Sequence, residues 1–262
     1  MAKIQKVNPV VEKDFEEEEI VYKMLAGYKD KDGVIHTDFT LREMNGKDEE
    51  ALFSSSNKAN GAKIVSLLLE RCVTSIGNIT RKEVGTEKWR EIIKSLYVGD
   101  QDYMILKLRE ISVGKEIEVK HACPNCEAEL ITYISIDELD IEPFKGDYYV
   151  KFTLPKGFRD KDGELHKEGT IRLATGLDRE ILTPVAKKNV AIGTSMMLTR
   201  LCTFDGDIPI TQDTMAELTI KDRNYLQEIM KENLFGVNTE IELQCEECGD
   251  IFKATFNPQN FI

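Results

Sequence analysis

Several classes of protein are excluded by what this 262-residue sequence lacks. No apolar run approaches the roughly 20 residues that a membrane helix needs, so no membrane span is expected. The N-terminus has no apolar core of the secretory type and drifts instead into the acidic block Glu16-Glu17-Glu18-Glu19, which argues against export by the general secretory route. Positive charge is in deficit: 35 Lys and Arg against 47 Asp and Glu leave a net charge of −12. Such a field repels phosphate backbones, and no local basic face offsets it, so nucleic acid is not an expected partner. A Walker-type loop, a G-x-S-x-G elbow, an HExxH helix and a Rossmann fingerprint are all missing. Neither an enzyme active site nor a small-molecule substrate is therefore expected.

What is present is enough for a real core, with 41% hydrophobic residues and 8% aromatics. There are six cysteines. Cys72 and Cys202 lie in apolar runs and read as buried packing residues. The other four form two Cys-x-x-Cys pairs, Cys123/Cys126 and Cys245/Cys248. Without a secretory signal, such pairs point to metal binding or redox chemistry rather than to a disulfide framework.

The sequence also repeats itself. Tyr28 to Leu52 lies over Phe158 to Leu182 without a gap, with 11 identities: Asp30/Asp160, Lys31/Lys161, Asp32/Asp162, Gly33/Gly163, His36/His166, Thr40/Thr170, Arg42/Arg172, Gly46/Gly176, Asp48/Asp178, Glu50/Glu180 and Leu52/Leu182. Chance would supply roughly one or two. Leu67 to Ile79 resembles Met197 to Ile208, and Leu96, Asp100, Tyr103, Gly114, Cys123 and Cys126 match Leu218, Asp222, Tyr225, Gly236, Cys245 and Cys248 at one constant offset. This divides the chain into an acidic tail (residues 1–18), a first repeat (19–143) and a second (146–262).

Each repeat predicts the same α+β unit. Val21 to Leu25 or Tyr149 to Leu154 opens it as a strand, an Asp-Lys-Asp-Gly turn follows, and a second β-type run completes a hairpin. A helical middle comes next, in the first repeat Ile64 to Cys72, Glu87 to Leu96 and Asp100 to Ile111. Asp100 is expected to cap the last of these, and Gly114 and Gly236 to close it and its counterpart. The unit ends in a strand, a Cys-x-x-Cys knuckle and a returning strand: Glu116 to Ala122 with Leu130 to Ile134, and Thr239 to Gln244 with Ile251 to Phe256.

Two thiolates at a hairpin tip can bite one metal, and two such knuckles make a closed tetrahedral site. Cys123, Cys126, Cys245 and Cys248 are accordingly the expected ligands of a single structural zinc, Zn2+, one per chain, joining the repeats about a pseudo-two-fold axis in the manner of a zinc ribbon. Pro124 stiffens the first knuckle and Gly249 supplies permissive backbone in the second. Loop closure costs only about 0.6 kcal/mol per doubling of length, against roughly 10 kcal/mol from a structural zinc, so the long gap between the pairs is no obstacle. The alternatives are metal-free hairpin tips and a thioredoxin-like pair, though the latter wants a helix after the motif where strands are expected. A catalytic zinc would need an open coordination position. His121 reads as a surface strand residue, and His36 and His166 as structural residues after each hairpin turn. The Asp30/Asp32 and Asp160/Asp162 pairs read as turn formers, because the downstream Glu of a calcium loop is missing.

The order R-E-M-N-G-K-D-E-E (Arg42 to Glu50), L-L-L-E-R-C-V-T-S-I-G (Leu67 to Gly77), V-G-D-Q-D-Y-M-I-L-K-L-R-E-I-S-V-G (Val98 to Gly114) and C-P-N-C resembles the baseplate hub proteins of T-even-type contractile-tail phages and related injection systems. Asn45 stands where that family usually has Thr, and Gln101 where it often has Arg; Thr175 and Arg223 occupy those points in the second half. The resemblance implies a virion component at the baseplate centre, made in the host cytoplasm. It would contact other baseplate and tail proteins, as a homo-oligomer within a symmetric assembly. An assembly chaperone absent from the finished particle is the alternative, and a zinc-ribbon nucleic-acid regulator a third, disfavoured by charge.

Overall fold

The computed structural model describes residues 20–53, 60–206, 208 and 210–256; the expected acidic tail lies outside them, as do residues 257–262 of the expected second repeat. The fold is α+β. Strands β1 (Val21–Lys29) and β2 (Ile35–Leu41) form the first hairpin, followed by helices α1 (Gly46–Leu52) and α2 (Gly61–Cys72). Strands β3 (Val73–Ile76) and β4 (Ile79–Thr80) complete a sheet of order β1-β2-β3-β4. Helices α3 (Arg81–Val84), α4 (Thr86–Ser95) and α5 (Val98–Ser112) lead into the hairpin β5 (Glu116–Ala122) and β6 (Glu129–Ser135), a 3-10 turn, and β7 (Ile141–Glu142).

The second half repeats much of this order. Strands β8 (Tyr149–Arg159) and β9 (Leu165–Arg172) form a hairpin, then come α6 (Gly176–Lys188) and α7 (Val190–Leu201), and β10 (Cys202–Phe204) joins a sheet of order β10-β9-β8. Helices α8 (Gln212–Glu217) and α9 (Ile220–Glu232), strand β11 (Gly236–Val237) and the hairpin β12 (Glu240–Gln244) and β13 (Ile251–Thr255) follow.

Both hairpin turns form as the Asp-Lys-Asp-Gly pattern predicts. Asp30 Oδ1 accepts from the backbone N–H groups of Asp32 and Val34 at 2.9 Å, and Asp160 Oδ1 accepts from Asp162 and Glu164 at the same distance. His36 and His166 close each turn against the other carboxylate oxygen, at 2.8 and 2.9 Å. Both histidines are half-buried, so their recurrence has a structural cause.

Each hairpin also carries a bulge, where pairing jumps from Lys23 to Tyr28 and from Thr153 to Phe158. Gly27 (φ 85°) and Gly157 (φ 75°) sit in the bulges, where a side chain would meet the facing carbonyls of His36 and His166. The bulge exposes amides that the ladder leaves unpaired, and a carboxylate from the late helix takes them. Asp100 accepts from the N–H groups of Leu25, Ala26 and Gly27 at 2.7, 3.1 and 3.0 Å, while Asp222 Oδ1 accepts from Lys156 N–H at 2.8 Å. Asp100 is therefore not the expected helix cap. α5 begins two residues earlier, at Val98, and the Asp100 side chain turns to the strand because bulge amides buried without a partner would cost more than an uncapped, partly solvated helix end.

Gly114 does close α5, with its N–H and that of Val113 bonded to the Arg109 carbonyl. Gly236 does not close α9, which ends at Glu232; it lies in β11, paired with Glu142 of β7. A Cβ there would fall 2.7 Å from Gly99 Cα, so close packing of β11 on α5 is what requires glycine.

Two clusters of buried apolar side chains organise the chain. The larger gathers Phe39, Leu69, Trp89, Ile93, Met104 and Leu108 with Ile117, Val119 and Ile134 of the β5–β6 hairpin. The smaller gathers Phe152, Ile171, Leu198, Phe204, Met215 and Leu226. Phe256 and Ile241, which flank the second knuckle, pack into the larger cluster rather than into the smaller one. Cys72 and Cys202 are buried as expected, at 0% and 5% exposure.

A buried aspartate locks each helix pair to its sheet. Asp48, the third residue of α1, receives both Nη atoms of Arg42 at 2.7 and 3.0 Å and Arg71 Nε at 2.6 Å. Asp178, at the same place in α6, receives Arg172 at 2.6 and 3.0 Å and Arg200 Nε at 2.8 Å. Hydrogen bonding by Arg42 holds Asp48 well below the usual carboxylate range. Burial would raise Asp178, but the Arg172 bonds and the Thr175 N–H outweigh it and draw it down to about 2. Both folded values lie below the unfolded value of about 3.9, so this stabilisation is complete above about pH 4 and is lost as pH falls toward the folded values. Urea melts across that range should show a steep acid loss in the native chain. Asp178→Asn should cost on the order of 2–3 kcal/mol at neutral pH and flatten part of the acid limb; an acid profile parallel to the native one would contradict this role.

Candidate metal centre

The two knuckle hairpins share one register. Ala122 pairs with Glu129 where β5–β6 opens into its turn, and Gln244 pairs with Ile251 at the matching point of β12–β13. In each turn the N–H of the first cysteine is bonded across the tip: Cys123 to Ala128 O at 2.9 Å and Cys245 to Asp250 O at 2.8 Å. The residue after the second cysteine bonds back to the first, with Glu127 N–H on Cys123 O and Gly249 N–H on Cys245 O. That residue is left-handed in both, φ 62° at Glu127 and 74° at Gly249. Gly249 adopts it freely, as its identity predicts; Glu127 holds it against Cβ strain, which nothing in its residue type announces.

The hairpins meet tip to tip. Cys123 Sγ lies 3.7 Å from Cys248 Sγ, Cys126 Sγ lies 3.6 Å from Cys245 Sγ, and all four sulfurs fall within 4.8 Å of one another. These separations are far from the roughly 2.05 Å of a disulfide. Four thiolates about 2.3 Å from a central zinc would have tetrahedral edges of about 3.8 Å, so the cluster has the size of a four-thiolate metal site. Each edge given above joins one hairpin to the other, so the cluster cannot form from either alone. Cys123 and Cys245 are buried, whereas Cys126 and Cys248 face solvent.

The turn amides favour ionised sulfur. The Asp250 N–H lowers Cys248 to about 7. The Ala128 N–H acts the same way on Cys126, but the crowding thiols of Cys248 and Cys245 prevail and push it up to about 12. Asn125 Nδ2 also points at Cys248 Sγ, at 3.7 Å. Cys72 and Cys202 stand apart, raised by burial to about 11 and about 12.

His121 is no ligand of the cluster, and it is not the surface residue its strand position suggests. Its ring is half-buried and Nε2 is shielded from solvent without a partner. The other grouping with metal-binding residue types among the described residues, Asp160, Glu164 and His166, is the β8–β9 turn already accounted for by its internal hydrogen bonds. A cleft of about 490 Å³ lies between the halves, but its charged lining residues are engaged: Arg172 and Arg200 with Asp178, Lys94 with Glu180 and Glu91 with Lys88. No helix among the described residues is long and apolar enough to cross a membrane.

The chain is thus an α+β protein of hairpins and helices with a four-thiol cluster between two hairpin tips. The particular family is known: residues 19–179 match the T4 bacteriophage base plate protein family, and the chain belongs to it. The match includes Cys123 and Cys126 and ends before Cys245 and Cys248. No curated protein and no solved structure matches the chain. Membership in this family points to a place in the virion tail among other tail proteins.

Thiol labelling of the folded chain, read by mass spectrometry after chelator treatment, should modify Cys248 first, exposed and lowered to about 7, and the other three knuckle cysteines more slowly. Cys72 and Cys202 should react only on unfolding. Labelling of Cys72 at the rate of Cys248 would contradict this placement.

Proposed function

We propose that this protein is a structural component of a phage contractile-tail baseplate, at or next to its hub, and that one structural zinc shared by Cys123, Cys126, Cys245 and Cys248 ties its two halves together. The observation that carries this reading is the convergence of four sulfurs, from hairpins more than 100 residues apart in sequence, into a cluster of tetrahedral size. Zinc would supply a closed four-coordinate crosslink there, with no position left for a substrate. The chain's own contribution is to fix the thiols beforehand, through the turn amides and the seating of Ile241 and Phe256 on the first core.

The chain is read as a tandem duplication. The matching bulges, the buried aspartates with their arginines and the knuckle registers support it, as do the sequence identities. A local pseudo-two-fold exchanging the knuckles fits the reciprocal pairs Cys123–Cys248 and Cys126–Cys245. On this reading the protein acts by rigid surface complementarity and not by catalysis. An assembly chaperone is the second reading; proteomics of purified particles should find the chain in mature tails, and its absence there would favour the chaperone.

Purified protein should carry about one zinc per chain by elemental analysis. Cys245→Ser should lower the stability of the first half as well as the second, measured by hydrogen exchange in α4 and α5. Zinc near zero, or a loss confined to β12–β13, would sink the clamp.

A further inference from the structure

The contact between the halves is one-sided. Backbone at the start of α6 pairs with backbone at the start of α5: Tyr97 bridges Thr175, Val98 N–H donates to Ala174 O at 3.0 Å, and Gly176 N–H donates to Leu96 O at 2.9 Å. Arg179 then bonds Asp102 and Gln101, and Glu180 meets Lys94 Nζ at 2.7 Å and the Asn60 amide. The fit is close, because a Cβ on Gly176 would lie 2.0 Å from Gln101 Nε2. The start of α6 is thus a plug and the start of α5 its socket.

Among the described residues both surfaces exist a second time and stand open. The plug recurs at the start of α1, where Asn45, Gly46, Glu49 and Glu50 occupy the places of Thr175, Gly176, Arg179 and Glu180; all four are exposed, and no atom of the described residues lies within 4 Å of a Cβ on Gly46. The socket recurs at the start of α9, where Thr219, Ile220, Lys221 and Asn224 replace Tyr97, Val98, Gly99 and Asp102. They too are exposed, Ile220 by 71%. The socket is built alike in both halves, since Arg223 bonds Met215 O as Gln101 bonds Ile93 O.

We infer that copies of this chain join head to tail, the α1 plug of one entering the α9 socket of the next and repeating the internal joint. The inference rests on the reading of the halves as copies of one unit. A plug and socket at opposite ends make a heterologous contact, which propagates into a ring or an open chain instead of stopping at a two-fold dimer. Charge gives the match a direction: the internal joint has a basic plug residue, Arg179, on an acidic socket residue, Asp102. At the open ends Glu49 stands in the place of Arg179 and the neutral Asn224 in that of Asp102. An outer plug at the inner socket would set Glu49 against Asp102, a like-charge contact that disfavours that pairing.

Native mass spectrometry of the full chain, across a concentration series, tests this and reads zinc content in the same spectra. The native protein should form multi-chain species. Gly46→Leu should weaken them about 30-fold or more without lowering the melting temperature, since its own chain leaves that position open. Glu49→Arg together with Asn224→Asp, which copies the Arg179–Asp102 pair onto the outer joint, should strengthen them. Native protein that stays single at every concentration, assembly indifferent to Gly46→Leu, or no strengthening by the copied pair would overturn the joint. Single chains with one zinc each would sink it while leaving the clamp intact, whereas assembled chains without zinc would do the reverse.

Discussion

The position of the four thiols depends on an apolar contact made at the far end of their hairpins. Phe256 is buried, and Ile241 half-buried, against the first-half core that holds Val119, Ile134 and the α4–α5 side chains, although both belong to the hairpin that ends the second half. Burial of one such side chain contributes about 1.5–3 kcal/mol. With β11 paired to β7, this fixes the rise and direction of β12–β13, and the shared register then carries Cys245 and Cys248 to Cys123 and Cys126. Remove the seating and each knuckle keeps its shape but loses its partner. The thiol cluster is thus downstream of packing.

A second economy lies in the buried aspartates. A lone carboxylate in a core is costly, yet Asp48, Asp100, Asp178 and Asp222 are all fully buried. Each is satisfied by groups that would otherwise be stranded: bulge amides for Asp100 and Asp222, helix N-terminal amides and two arginines each for Asp48 and Asp178. One side chain settles several polar obligations and ties a helix to a particular strand position. Asp100 nevertheless sits above its ordinary value, because burial outweighs its three amide bonds. The opposite outcome at Asp178 reflects its full guanidinium charge, which dipoles alone do not match.

The joint between the halves differs in kind from the knuckle contact. Around the sulfurs, each hairpin does for the other what it receives. Along α5 and α6, one half offers a helix start and the other the groove for it, with the aromatic rings of Tyr97, Phe144, Tyr148 and Phe235 packed beside them. A two-way clamp closes on itself, whereas a one-way joint leaves an end free on each side.

Local features were legible from residue order because they depend on neighbours in sequence. Asp-Lys-Asp-Gly specifies its turn through Asp30 and Asp160, and Cys-x-x-Cys between β-type runs specifies a knuckle whoever its partner is. The recurrence of Arg42 and Asp48 as Arg172 and Asp178 was visible, but not that they bond, since the third partner shifts by one position between Arg71 and Arg200. Asp100 read as a cap because a cap is a local bond, and the amides it serves lie some 75 residues away. The sequence by itself determined the hairpins, the knuckles and the residues able to ligate a metal. Tertiary structure alone decided that the second knuckle seats on the first core, that Gly236 is spent on helix contact and that one pair of plug and socket is filled while the other is open. Those choices rest on burial and close packing between distant segments, for which residue order carries no local signal.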